Sequence, residues 1–390
     1  MRALPIYLFA NLPQTVQLFR GFANAVRELR PGVQLILLVT DHPFMRGLNF
    51  GDLSASFDQV IRVGICSYPH IKCPRLALDD WQQIRRYQSE LNKVAFVPGA
   101  TLFLTCGQEL VTNILLKRLR REKVTTVWLS RTFVQNLYDL RFSYIYWLYY
   151  NLINLFYGAV LMDVFPLDVF GDGKYQVYWQ PRQNPFSHRF YMVDQTNAQQ
   201  LAPNEIYRPY YFPSRHRNGT REKIVVFGDD SPDSRPQVQT TFRLRFNQLL
   251  DLVRTKHAGA RLVYRHHPGS PLGDHYDLRG FEIERQAIAE AMFSNDASIS
   301  TVYSIWSEAT VHAPFFGIRG FFLYYLFDDI AIPRSLKRHM DLSREIYKQE
   351  PRMFLRSVED WMDGENDYPV DFDSRRILGS VGAMLDYLHL

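Results

Sequence analysis

The sequence predicts an α/β protein of two Rossmann-like domains, and three of its features carry that expectation. Short apolar runs alternate with helix-length amphipathic stretches, a polar segment interrupts them near the middle, and the alternation then begins again. With 390 residues the chain exceeds what one hydrophobic core normally organises, so two domains suit its length.

Residues 4–10 (LPIYLFA) form an apolar run that reads as a buried strand. From 14 to 30, Val16, Phe19, Phe22, Ala23, Val26 and Leu29 recur at helical spacing, and Pro31-Gly32 ends the helix. Val33–Thr40 (VQLILLVT) is a second buried strand. Strand, helix, strand is the opening unit of a doubly wound parallel sheet. The pattern returns as a strand over 101–106, a helix over 108–121 and a strand over 124–130. The polar run 213–222 (PSRHRNGTRE) reads as the linker, giving domains 1–212 and 213–390. Beyond it come a strand at Lys223–Gly228, a helix over 235–257, a strand at Arg261–Arg265, a helix over 286–294 and a strand over 297–302. Residues 374–390 read as a final helix, of the kind that packs back across a domain junction.

Composition narrows the function. Hydrophobic residues at 46% and charged residues at 22% mark a globular chain. A net charge of +5 suits an anionic small molecule or membrane face and is too diffuse for nucleic acid. Cys66, Cys73 and Cys106 lack CxxC spacing, so neither a zinc site nor a disulfide framework follows, and a reducing cytoplasm is the simplest compartment. The start, MRALPIYLFANLPQ, lacks the apolar stretch of a signal peptide, which makes the sequon at Asn218 a chance match in the linker.

Segment 142–165 (FSYIYWLYYNLINLFYGAVLMDVF) is aromatic-rich. Asn151, Asn154 and Asp163 argue against a membrane span. It reads first as a large buried helix under the first domain, with docking at the inner membrane face as the alternative.

Several nucleotide and hydrolase motifs are absent, among them the phosphate loop, the GxGxxG fingerprint, HExxH and GxSxG. Gly171–Lys174 (GDGK) lacks the upstream glycine spacing and reads as a turn. The strongest local signal is YRHHPGSP, Tyr264–Pro271, where His266, His267 and Pro268 follow a strand. Ligands of open α/β sheets gather at the carboxyl ends of strands, and a histidine there can bind a phosphate or protonate a leaving one. One strand on, DASISTVYSIWSEA is expected to pass from a strand ending at Ser300, through Ser300-Thr301, into a helix beginning near Tyr303 or Ser304. Hydroxyls before free helix N–H groups make an anion site, or simply a cap. Between these, GFEIE places Glu282 on a short strand, where a carboxylate could accept ribose hydroxyls. Gly228, closing the strand Lys223–Gly228, is assigned to the same nucleotide site. The glutamate follows the histidine by fifteen residues, and the hydroxyl pair follows eighteen later.

The order His-Pro, Phe-Glu, Ser/Thr resembles the carboxyl-terminal domain of the bacterial sialyltransferases of GT-B fold, including the capsule polysialyltransferases. That resemblance implies GT-B architecture, with the active site in the cleft between domains. It implies that His267 contacts the donor phosphate and assists departure of CMP, that Glu282 holds the ribose, and that Ser300 and Thr301 bind phosphate; Pro268 and Ser304 are assigned to the same nucleotide site from their places beside these residues. The family's acidic-acidic-glycine motif, which supplies the base, has its nearest match at Tyr138-Asp139-Leu140, with Leu140 in place of glycine. Asp139 is therefore one candidate base. Glu109, after the strand 101–106, is another, and Asp41 ranks third. Asn11 is expected to line the cleft.

The resemblance implies an inverting glycosyltransferase that moves sialic acid or a related acidic sugar from a CMP-linked donor to a glycan or glycolipid acceptor, for capsule or lipopolysaccharide. The donor is a co-substrate, and neither a separate cofactor nor a metal is expected; Asp229-Asp230 has no spaced third ligand. CDP-glycerol glycerophosphotransferases share a similar His-Pro and paired-serine arrangement. Other readings are a UDP-dependent epimerase, or a catalytically silent scaffold that binds a glycan or partner protein.

Overall fold

The computed structural model describes residues 4–40, 53–64, 78–105, 110–131, 148, 151–160, 187–193, 195, 200–213, 221–228, 236–266, 276–285, 288–327, 340–341, 344 and 350–390. The chain divides into two compact units. Unit 1 comprises Met1–Val193, Leu201–Tyr211 and Arg375–Leu390, and unit 2 comprises Asp194–Gln200 and Phe212–Ser374.

Unit 1 holds a seven-stranded sheet of β1 (Ile6–Ala10), β2 (Leu35–Val39), β3 (Gln59–Arg62), β4 (Thr101–Thr105), β5 (Thr125–Arg131), β6 (Ser187–Val193) and β7 (Glu205–Tyr207). Its order is β3-β2-β1-β4-β5-β6-β7 and every pairing is parallel. Strands β1 and β2 are apolar throughout, and β4 is apolar between its terminal threonines, because both faces are covered. β3, β6 and β7 escape sequence reading for local reasons. β3 is a partly exposed edge strand, β6 mixes polar and aromatic residues, and β7 has only three residues.

Helix α1 (Pro13–Leu29) starts with proline at its first turn, where the missing N–H has no intrahelical partner to lose. It crosses residues 209–211 so closely that a Cβ on Gly21 would lie 2.3 Å from the Pro209 carbonyl oxygen. Tyr211 Oη donates to Glu28 at 2.5 Å, and Asn24 donates to the Tyr211 carbonyl at 3.2 Å. Burial, then the Glu28 carboxylate, push the Tyr211 phenol up to about 12. Helices α2 (Leu78–Lys93), α3 (Leu110–Arg121) and α4 (helical at 151–156) complete the first part of unit 1. The described part of 142–165 is buried on one side only, not all round as a core helix would be.

Unit 2 holds β8 (Lys223–Phe227), β9 (Arg261–Arg265), β10 (Phe281–Glu284), β11 (Ile299–Ser304) and β12 (Arg319–Phe322), in the order β10-β9-β8-β11-β12, again all parallel. Its helices are α5 (Pro236–Lys256), α6 (Ala289–Asn295), α7 (Glu308–His312) and α8 (Val358–Asp363). α7 runs over β12 at a distance only glycine permits: a Cβ on Gly320 would meet the Thr310 carbonyl oxygen at 2.3 Å. The last helix, α9 (Ser374–Tyr387), joins unit 1 instead. Ser380 Oγ accepts from Tyr207 N at 3.2 Å, and Arg30 pairs with Asp386 and donates to the Leu390 carbonyl. Unit 2 therefore stops at Ser374. Among the described residues no helix is long and apolar enough to cross a membrane.

Tyr303, the penultimate residue of β11, is 1% exposed. Its hydroxyl lies 2.9 Å from His257 Nε2 and accepts from Trp361 Nε1 at 3.2 Å. Burial holds the His257 pKa down at about 4, against ~6.5 for an unfolded histidine. Between these values the unfolded chain binds the proton and the native one does not. His257's contribution is thus complete above the upper value and is lost as pH falls toward the lower. Denaturant titrations should show stability dropping by roughly 2 kcal/mol between about pH 7 and about pH 4.5, allowing for partial exposure. His257→Gln should flatten that dependence, and a variant with the wild-type slope would exonerate His257.

Candidate functional site

In unit 2 the chain leaves β8 to build β9 and β10 on one side, then returns to place β11 and β12 on the other. The strand order reverses between β8 and β11, and the crevice beyond their carboxyl ends is where open parallel sheets receive ligands. Gly228 closes β8 at this point. Its N–H donates to the Arg265 carbonyl at 2.9 Å. A Cβ there would lie 2.0 Å from Tyr264 Oη, so the buried tyrosine beside it requires glycine.

The segment after β11 differs from its expected form. The strand does not end at Ser300 but runs through Ser304, because Val302 and Tyr303 are buried in the sheet. The helix then starts at Glu308, with Ser307 Oγ accepting from Ala309 N at 3.3 Å. Ser300 and Thr301 consequently lie at the amino end of β11, next to an irregularity in its pairing with β8, and not at a helix start. Their hydroxyls are 3.4 Å apart, and Thr301 is buried. Four residues of strand span roughly 13 Å, so this pair sits at the sheet edge opposite the crevice. Ser304 does reach the carboxyl end, but its hydroxyl is fully buried. It bonds Thr310 Oγ1 at 2.6 Å and accepts from Ser307 N at 3.0 Å, closing the turn into α7 instead of facing a ligand. Ser307 and Trp306, both half-buried, follow in this turn: Ser307 caps α7, and the Trp306 ring packs against Phe242 of α5 at 5.8 Å between centroids.

Glu282 is likewise displaced. It is the second residue of β10, opposite Val263, and its carboxylate accepts both Arg261 Nε at 3.0 Å and Nη2 at 2.8 Å. Arg261 holds the Glu282 pKa below its ordinary value. The same amino edge carries the partly buried Lys223–Asp296 pair and the Ser298 Oγ bond to Asp296 at 2.6 Å. The carboxylate that does end the strand is Glu284.

A charged cluster that the sequence did not single out sits at the carboxyl end of β9. Arg265 is 5% exposed and donates to the His266 carbonyl. Burial lowers its pKa, while the Glu290 and then the Glu284 carboxylates oppose that shift. Glu290, in the first turn of α6, accepts from His312 Nδ1 at 2.5 Å, and both side chains are buried. Arg265 was legible as the residue that opens the histidine run. Glu290 and His312 stood alone in the sequence, with nothing to connect them.

Unit 1 repeats the geometry. Its order reverses between β1 and β4, where Asn11 follows β1 and Thr15 Oγ1 lies 3.4 Å from Thr105 Oγ1 at the end of β4. Asn11, Thr15 and Thr105 are all buried. Asp139, Glu109, Asp41, His267, Pro268, Asp229, Asp230, the Gly171–Lys174 turn, the three cysteines and Asn218 lie outside the described residues. Among the described residues no group of three His, Cys, Asp or Glu side chains converges as a ligand set for a metal.

Removing the Glu290 carboxylate takes the partner from the buried His312 and an opposing charge from the neighbourhood of the buried Arg265. Glu290→Ala should cost about 3 kcal/mol in urea denaturation, and Glu290→Gln, which keeps an acceptor for His312, about 1–2 kcal/mol. Equal losses would mean that volume, not charge, holds the cluster.

No protein-family model and no curated protein matches the chain. Among solved structures it is similar to S. aureus MnaA in a co-structure with UDP, at 11% identity and TM-score 0.49, over 99% of this chain and 97% of that one. It is similar to the UDP-GlcNAc 2-epimerase of Neisseria meningitidis bound to UDP-GlcNAc, at 9% identity and TM-score 0.48, over 99% of both chains. The glycosyltransferase SnogD of Streptomyces nogalater is similar at 12% identity and TM-score 0.43, over 98% and 95%.

Proposed function

We propose that the chain is a nucleotide-sugar-dependent glycosyltransferase of GT-B type, with the donor held by unit 2. The observation that carries this reading is the repetition of one arrangement: two doubly wound parallel sheets, each with polar residues gathered where the strand order reverses. In unit 2 the crevice lies beyond Gly228 and the end of β11, and the chain enters the His266–Pro268 run at the neighbouring strand end. Glu282, Ser300 and Thr301 have no part in this version of the donor site.

The His-Pro signal supports a CMP-linked donor carrying sialic acid or a related acidic sugar, with a glycan or glycolipid hydroxyl as acceptor. Asp139 or Glu109 removes the acceptor proton. The freed oxygen attacks the anomeric carbon from the face opposite the nucleotide, and the carbon–oxygen bond to phosphate breaks with its electron pair leaving on CMP. His267 protonates that departing phosphate, so the sugar is transferred with inversion. Each proton-transfer group contributes ~10²–10⁴-fold.

Titration calorimetry with CMP, CDP, UDP and GDP tests the donor assignment. CMP should bind selectively, and His267→Ala should weaken it while cutting turnover by about 10²-fold or more. Preference for UDP would replace the CMP donor and bring forward the epimerase reading. Activity with CDP-glycerol would make the enzyme a glycerophosphotransferase. Absence of binding to all four would favour the silent scaffold.

A further inference from the structure

Helix α4 has two unlike faces. Ile153 and Tyr157 are buried in the core of unit 1, with Asn151 and Asn154 buried on the same inward side. Leu148, Leu152, Leu155 and Phe156 stand 55–62% exposed. Leu152, Leu155 and Phe156, spaced by three and one residues, share one side of α4. Isolated exposed apolar residues are ordinary, whereas a continuous stripe of leucines and a phenylalanine marks a surface that something covers.

The surroundings of the stripe identify what covers it. Lys117 Nζ donates to the Gly158 carbonyl at 2.5 Å, and Val160 N donates to the Asn113 carbonyl at 3.4 Å, so the end of α4 is laid along α3. The last turn of α3 and the residues after it carry Lys117, Arg118, Arg120, Arg121 and Lys123, against Glu122 alone. Glu122 pairs with Arg118 at 3.2 Å, while Lys117, Arg120, Arg121 and Lys123 are exposed. A second copy of the chain docking here would bring its own cations toward these, and like charges oppose such a contact. An anionic lipid surface complements both halves, offering acyl chains to the stripe and phosphates to the cations.

We propose that α4 and the carboxyl end of α3 dock peripherally on an anionic bilayer, with Leu152, Leu155 and Phe156 entering the boundary between headgroups and acyl chains. This surface stands independently of the catalytic reading, since none of its residues belongs to either crevice.

Co-sedimentation tests it, using vesicles of phosphatidylglycerol mixed with phosphatidylcholine and vesicles of phosphatidylcholine alone. The wild-type chain should bind the anionic vesicles at least about tenfold more tightly than the neutral ones, and less tightly as salt rises. Leu152→Glu/Phe156→Glu should lose about tenfold or more. Arg120→Gln/Arg121→Gln should lose severalfold and show a shallower salt dependence. All four substituted side chains are exposed, so both variants should keep the wild-type circular dichroism spectrum. Equal recovery on the two vesicle types overturns the proposal, as does anionic binding unchanged in Leu152→Glu/Phe156→Glu. A dimer that this variant dissociates, from a chain that no vesicle recovers, overturns it in favour of self-association.

Discussion

Burial of Tyr303 is the constraint on which unit 2 depends. Its ring stacks on Phe321 of β12 at 5.4 Å between centroids and meets Trp361 of α8 edge-on at 5.3 Å. Its hydroxyl joins His257, just beyond α5, to Trp361. One side chain thus links β11 to elements before and after it in sequence. A buried phenol without partners would be costly, so the two polar contacts are part of the same requirement. Once Tyr303 is fixed in the sheet, β11 must run to Ser304. Ser300 and Thr301 are thereby assigned to the amino half of the strand.

That assignment separates the electrostatics of unit 2 by edge. The amino edge is a set of satisfied ion pairs, Arg261 with Glu282 and Lys223 with Asp296, in which each charge is consumed by its partner. The carboxyl edge gathers Arg265, Glu284, Glu290 and His312 around the end of β9. Buried charges of this kind contribute little net stability compared with an apolar replacement, and losing one partner is what costs. Their place beside the His266 carbonyl gives them a bearing on the backbone that enters the histidine run.

Unit 1 depends on close backbone approach and on the return of the chain's end. Gly21 lets α1 meet residues 209–211 at a distance no larger side chain allows. The carboxyl-terminal helix then covers β6 and β7, with Tyr387 edge-on to His188 and Phe190, and Ser380 takes the Tyr207 N–H. A parallel sheet has apolar residues on both faces, so a helix contributed from a distant part of the chain can complete its cover.

The sequence by itself determined the fold class, because continuous apolar strands and helices of period 3.6 are local patterns. β1, β2, β4, β8 and β9 are all readable from a few neighbouring residues. It also determined that Gly228 and the histidine run would follow strands. Only the tertiary structure decided where β11 ends, since the segment ISTVYS reads equally well as a strand leaving early or late until Tyr303 finds Phe321, His257 and Trp361. The same holds for Glu282, whose role was fixed by an arginine twenty-one residues away on the adjoining strand. It holds for Glu290 and His312 too, joined across twenty-two residues by packing alone. Local periodicity specifies which elements form, but which charges and hydroxyls remain available to a ligand depends on partners brought from elsewhere in the chain.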